Sequence, residues 1–294
     1  MRRLIVNADD FGMAPGVNRA IVEAHRRGIV TSTSLLANGG AFGDAVELAR
    51  GEPALGVGVH LNLTEGRPVA REPEVSMLVD DRGMFRHSPA SLAMGLATER
   101  VRIEEIEREL RAQVDKVLAA GIRPTHLDGH KHIHMLPQIF PLAARVAREY
   151  GVRAMRCSIE RPVGLSALIR KHSAGAVFAR YAEGRVLAAV AFSCDFRGVL
   201  RRAGTAAPEY FFGLTQTGFL DAESLEKILY NLPPGSSELM CHPGYADAAL
   251  RSSQTSLVVE RERELEALTQ PETRAAIARL GVHLIRYDEL GQAE

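Results

Sequence analysis

The chain has 294 residues, 46% of them hydrophobic, and its 36 Lys plus Arg are matched by 36 Asp plus Glu. That much apolar content excludes disorder and allows a large buried core, while zero formal charge excludes the broadly basic surface that nucleic acid requires. Cys157, Cys194 and Cys241 are widely spaced with no CxxC pair, which argues against a disulfide framework or cysteine-ligated zinc and fits a reduced, cytoplasmic compartment.

The first element is a short apolar strand, Leu4 to Val6, too brief for a signal-peptide core, followed by a helix from Pro15 to Arg27 that Gly28 ends. Val30 to Ala37 is β-branched and reads as a strand, Gly43 to Arg50 as a helix, and Leu55 to Val59 as a strand delivering His60 to its C-terminal end. Pro68 to Pro89 has no steady period and reads as a surface excursion, with a small hairpin around Asp81 to Gly83. Apolar residues at Ile103, Ile106, Leu110, Val114, Val117 and Leu118 form a helical stripe ending at Gly121.

Next comes the densest polar stretch, Thr125-His-Leu-Asp-Gly-His-Lys-His-Ile-His-Met135. His126, Asp128, His130, His132 and His134 all stand at even positions, so an extended strand would project all five to one face. Four imidazoles and a carboxylate crowded together form a polar space able to bind a metal.

Beyond it, Pro137 to Tyr150 reads as a helix, Val152 to Cys157 as a strand and Val163 to Arg202 as predominantly helical. Tyr210 to Phe212 is a short strand, Ala222 to Asn231 a helix, and Glu238 to His242 a strand ending on His242. Two helices, Ser256 to Leu268 and Pro271 to Leu280, precede a last strand from Val282 to Arg286. The longest apolar run, Val186 to Phe192, is far short of the about 20 residues that span a bilayer. Six or seven βα units in this order predict one domain over residues 1–294, an α/β barrel with mainly parallel strands and reactive groups at strand C-terminal ends, with a helical insertion at about 163–205.

By this reading Asp9 and Asp10, His60, the histidine segment and His242 each reach a strand terminus. One Asp and two His from different strands would meet the demand of a catalytic divalent metal with an open position. Asp9 and Asp10 are adjacent and would diverge on an ideal strand, so the backbone must bend there, and Asp10-Phe-Gly12 offers the turn. Asp128 is placed either to hold an imidazole in its tautomer or to cap the strand end. His132 and His134 are placed to line a substrate pocket, with His134 an alternative ligand to His130. Arg156 would anchor a catalytic Asp, bind a substrate hydroxyl or lie on the surface. His25, His172 and His283 read as structural or solvent-facing, and the alternating charges of Arg261 to Glu266 as a solvated helix face.

Four collinear stretches, Asn7-Ala-Asp-Asp-Phe-Gly12, Gly58-Val-His-Leu-Asn-Leu-Thr-Glu-Gly66, Thr125 to Met135 and Cys241-His-Pro-Gly-Tyr245, together resemble the YdjC-type carbohydrate deacetylases. The resemblance implies a distorted (β/α) barrel of the NodB/YdjC kind that binds one divalent metal through an Asp and two His and removes acetyl groups from N-acetylated sugars. Position by position it implies Asp10, His60 and His130 as metal ligands, Asp9 as general base and His242 as general acid, the latter with its pKa raised by a nearby carboxylate. That family often has Ser and His where this chain has Gly129 and Lys131. Zinc suits such a ligand set, with magnesium, manganese or cobalt as substitutes.

The long, arginine-studded apolar stretch Ser173 to Phe192 is similar to the hopanoid-biosynthesis-associated branch of that family. The implied substrate is an N-acetylglucosaminyl glycolipid, with peripheral contact at the inner membrane surface; a buried helix pair or homo-oligomer contact is the plainer reading. A chitooligosaccharide is the alternative substrate. From other classes, a phosphoesterase predicts a second metal and more cationic ligands, and a non-catalytic sugar-binding protein predicts no turnover to lose.

Overall fold

In the computed structural model, which describes residues 1–71, 73–253 and 255–291 and omits the side chains of residues 191–193, parallel strands build one sheet. They are β1 (Arg2–Phe11), β2 (Ser32–Leu35), β3 (Gly56–Leu61), β4 (Leu127–Gly129), β5 (Tyr210–Phe212), β6 (Gly235–Cys241) and β7 (Val282–Leu284), in the order β4-β3-β2-β1-β6-β5. β7 pairs with the start of β1, at Arg2 to Leu4, and β2 with its later part, from Asn7 onward. β1 is buried on both faces from Leu4 to Phe11, as a parallel strand covered by helices must be, which is why its apolar run is continuous rather than alternating.

The curled sheet closes through single bridges rather than a ladder. Leu127 bridges Met155, Ala154 bridges Ala206, and Glu160 bridges Phe211, all parallel. The strand expected at Val152 to Cys157 is thus reduced to two bridging residues, and the architecture is a distorted, partly open α/β barrel.

Helices Pro15–Arg26, Phe42–Arg50, Ile103–Ala119, Ile139–Glu149, Ala222–Tyr230, Glu260–Thr269 and Pro271–Arg279 lie close to the positions their periodicity predicts. An additional helix, Pro89–Ala97, starts where the irregular excursion ends and is capped by a reciprocal Ser88–Ser91 box. The predicted helical stretch from Val163 to Arg202 breaks into Leu165–Lys171, Ala174–Ser193 and Phe196–Ala203. The hairpin at Asp81 to Gly83 is present as an antiparallel Val79–Phe85 bridge. None of the three cysteines is in a disulfide, and no described helix is long and apolar enough to cross a membrane.

Two local departures from regular strand position the site. Between Ala8 and Phe11, β1 spends three residues where β2 spends two, from Thr33 to Leu35, and Asp10 takes a left-handed φ of 70°. This bulge turns two successive carboxylates toward one side. The histidine segment is not one extended strand: β4 stops at Gly129, and His130–Met135 forms a 3-10 turn with left-handed φ at Lys131 (51°) and His132 (54°). The even spacing imitates strand alternation, but the tight turn sends His130, His132 and His134 in different directions.

Candidate metal centre and active site

Asp10 at the end of β1, His60 near the end of β3 and His130 just after β4 form one group whose potential ligand atoms all lie within 4.8 Å of one another. Asp10 Oδ1 is 3.0 Å from His130 Nδ1 and 3.6 Å from His60 Nε2. Although buried, that oxygen accepts no hydrogen bond, which is what lone pairs aimed at a common point produce. Arg261 Nη2 donates to the other oxygen, Oδ2, at 2.6 Å, leaving Oδ1 as the free donor. These three side chains therefore fit a divalent cation, and His134 lies outside the group.

His60 is oriented from behind. Its Nδ1 lies 2.8 Å from Asp128 Oδ1, so the tautomer protonated there leaves Nε2 free toward Asp10. Asp128 Oδ2 in turn accepts from Ser34 Oγ at 2.8 Å, and Ser34 Oγ accepts from Asn7 Nδ2. Burial pushes Asp128 up, but Arg156 and His60 outweigh it and hold the carboxyl well below its usual range.

Asp9 is 4.0 Å from His60 Nε2 and borders the same cavity. It accepts two hydrogen bonds from Arg156, Nη1 to Oδ2 at 2.8 Å and Nη2 to Oδ1 at 2.7 Å, and a third from Asn7 Nδ2. Arg156 is wholly buried, and it also meets Asp128 at 2.8 Å and Glu238 at 2.7 Å. It therefore has no free face for a substrate hydroxyl. Burial lifts the Glu238 carboxyl to about 7 despite Arg156, which reduces the excess of negative charge around this single cation.

His242 follows β6 directly and lines the cavity, and its backbone N–H donates to Glu264 Oε2 at 2.6 Å. Its pKa runs opposite to the expectation. Burial pushes the imidazole down to about 4, and the attraction of Asp9 and Asp10 does not offset this. Burial likewise raises Glu264 to about 7.

The cavity is about 370 Å³, with Asp9, Asp10, His130 and His242 among its lining and Arg180, Glu183 and Leu257 on its walls. His132 lines it too, with Nδ1 2.9 Å from Ser158 Oγ. His134 does not: it is buried against Gly129, where a Cβ would come within 2.9 Å of its ring. His126 lies deeper, stacked on Tyr287 with ring centroids 3.8 Å apart.

Three contributors, Glu65, Arg261 and Glu264, lie outside the sequence reading. Glu65 Oε2 lies 3.3 Å from His130 Nε2. Its signal was a carboxylate inside the Gly58 to Gly66 stretch. Arg261 is only 1% exposed, and Glu264 is buried beside it, so the charged run at Arg261 to Glu266 is not simply a solvated face. An Arg–Glu pair at i, i+3 facing inward looks identical in sequence to one facing water.

A second carboxylate–imidazole trio, Asp9, His60 and Asp128, is also close-set. It shares His60 with the first, and Arg156 already occupies both carboxylates, so it does not form an independent cation site.

Fold and site together define an α/β barrel enzyme with its polar centre at the carboxyl ends of the strands. The chain belongs to the YdjC-like protein family, which matches residues 3–279. A carbohydrate deacetylase of Brevibacillus brevis is 37% identical over 290 residues, spanning 98% of this chain and 100% of the relative. A carbohydrate deacetylase of Mus musculus is 36% identical over 304 residues, spanning 98% and 94%. A crystal structure from Enterococcus faecalis V583, provisionally described as a cellobiose-phosphate cleavage protein, superposes with a TM-score of 0.78 at 29% identity over 99% of each chain.

Proposed function

We propose that this protein is a metal-dependent N-deacetylase that hydrolyses an N-acetylglucosaminyl group carried on a hopanoid-type lipid, releasing acetate and the free amine. The observation that carries the reading is the unpartnered Asp10 Oδ1 facing His60 Nε2 and His130 Nδ1, with the Asp9 carboxylate beside them. Deacetylation of carbohydrates is the activity named for its relatives.

Asp10, His60 and His130 would hold the cation, and zinc suits their donor set. Such an ion supplies Lewis acidity, polarising the acetamide carbonyl and making water more acidic. Asp9 takes the proton from the attacking water, and the Arg156 fork keeps both its oxygens in place for this. Because burial keeps His242 neutral at rest, it has to gain a proton during the reaction before it can hand one to the leaving nitrogen.

The lipid part of the proposal is supported by the Ala174–Ser193 helix. Arg180 and Glu183 border the cavity, while Phe178 (66% exposed) and Val186 (62%) stand on the outside with Arg185 between them. An apolar outer face with cationic residues beside the substrate entrance suits a glycolipid at the inner membrane surface.

The test is to incubate metal-loaded protein separately with acetylglucosaminyl lipid, chitobiose and a phosphomonoester, and to measure acetate and phosphate. Acetate released fastest from the lipid is expected. Faster release from chitobiose would replace the substrate with a chitooligosaccharide, and phosphate without acetate would overturn the chemistry.

A further inference from the structure

The two candidate imidazole ligands present opposite ring nitrogens to Asp10, and each has its own carboxylate on the far side. His60 offers Nε2 with Asp128 on Nδ1, whereas His130 offers Nδ1 with Glu65 on Nε2. Asp128 is wholly buried and charge-paired with Arg156. Glu65 sits at the cavity wall and is charge-paired with Lys131 Nζ at 2.5 Å.

Glu65 is fixed in place by its backbone. Its carbonyl accepts from Asn38 Nδ2 and Asn62 Nδ2, each at 2.9 Å, and its N–H donates to Asn62 Oδ1 at 3.2 Å. Gly66 turns the chain away immediately afterwards with φ of 79°. On the other side, the left-handed turn at Lys131 carries its ammonium back over the Glu65 carboxylate. Two separate loops are thus shaped to bring one carboxylate to one imidazole nitrogen.

We propose that Glu65 is a positioning residue that fixes the Nε2–H tautomer of His130, so that His130 coordinates through Nδ1 while His60 coordinates through Nε2. The inference rests on the metal reading above and adds the division of labour within it. A carboxylate hydrogen-bonded behind a ligating His orients the ring and raises its basicity, and losing such a partner typically costs 10–100-fold in metal affinity.

Two measurements on the full chain test this: nitrogen-15 NMR of labelled histidines in the zinc-loaded protein, and zinc affinity by competition with a chromophoric chelator. Wild type is expected to show His130 protonated on Nε2 and coordinating through Nδ1. Glu65→Ala is expected to weaken zinc binding by about 10–100-fold. Glu65→Gln retains an acceptor oxygen for Nε2–H and is expected to recover part of that loss, which a purely structural role would not predict. Coordination of His130 through Nε2, or unchanged zinc affinity in Glu65→Ala, would overturn the inference. A wild-type chain that takes up no zinc would overturn the metal reading itself, and this inference with it.

Discussion

Adjacent carboxylates are given different work by one backbone angle. The left-handed φ of Asp10, worth about 1–2 kcal/mol of strain for an L-residue, lets Asp10 reach the imidazoles while Asp9 stays in the Arg156 fork. The roles proposed for them separate on substitution. Asp10→Ala should abolish metal uptake in the chelator assay, whereas Asp9→Asn should retain the metal and lose turnover by at least about 100-fold. Normal rates in both variants would contradict the assignment. Arg156→Met leaves Asp9, Asp128 and Glu238 without their buried counter-charge, and should lower unfolding free energy by about 3–5 kcal/mol in denaturant titration. That Asp9, Asp10, His60 and His242 would meet was legible, because each follows an apolar strand run; His130 was legible only as one of a crowded set of histidines, and the family resemblance separated it from His134. Glu65 and Arg261 were not legible, since nothing in a loop carboxylate or a helix charge tells which way it faces.

Among the elements, most strands and helices follow their apolar periods, and the failures have a common cause. The histidine segment satisfies strand alternation, yet the left-handed turn at Lys131 and His132 overrides it, a choice made by tertiary contacts with Glu65 and Ser158. Val152 to Cys157 has strand composition but forms isolated bridges, at Ala154 and Met155, in place of a ladder. The neighbouring glycine in β3 is explained by the structure alone: a Cβ on Gly58 would lie 2.4 Å from the His126 ring, which Tyr287 holds from its other face. Gly58→Ala should therefore cost about 1–3 kcal/mol and shift β3, lowering activity through His60 two residues on. Denaturant midpoint and turnover measured together check this; an unchanged midpoint would mean that His126 can retreat.

For the molecule as a whole, buried titratable groups set the response of the metal-free protein to acid. Burial depresses His126 and His134 to about 3 and His242 to about 4, and pushes His132 the same way, so the unfolded chain binds more protons than the folded one below about 6.5. Their stabilisation is complete above that value and is lost as pH falls. Glu238 and Glu264, raised by burial to about 7, act in reverse between about 4.5 and 7 and offset part of the loss. Below about 4.5 that offset ends, and Glu65, held near 2 by His130, adds to the decline. Melting temperature should therefore already fall between about pH 6.5 and 5, because four imidazoles outnumber the two carboxyls, and drop more steeply below about 4.5; a melting temperature that stays constant down to about pH 5 would contradict these environments.

The barrel's weakly laced side runs between residue 160 and Ala206, and the helical stretch at about 163–205 occupies the gap between those two bridging points. Asp10, His60 and Asp128 belong to strands on the continuous arc of the sheet, which reaches β4 through full ladders. Changes on the cavity-facing side of the Ala174–Ser193 helix, at Arg180 and Glu183, would thus alter what rests against the sugar while those three strand-borne groups stay in place, whereas Phe196 and Leu200 further along are anchored in the core.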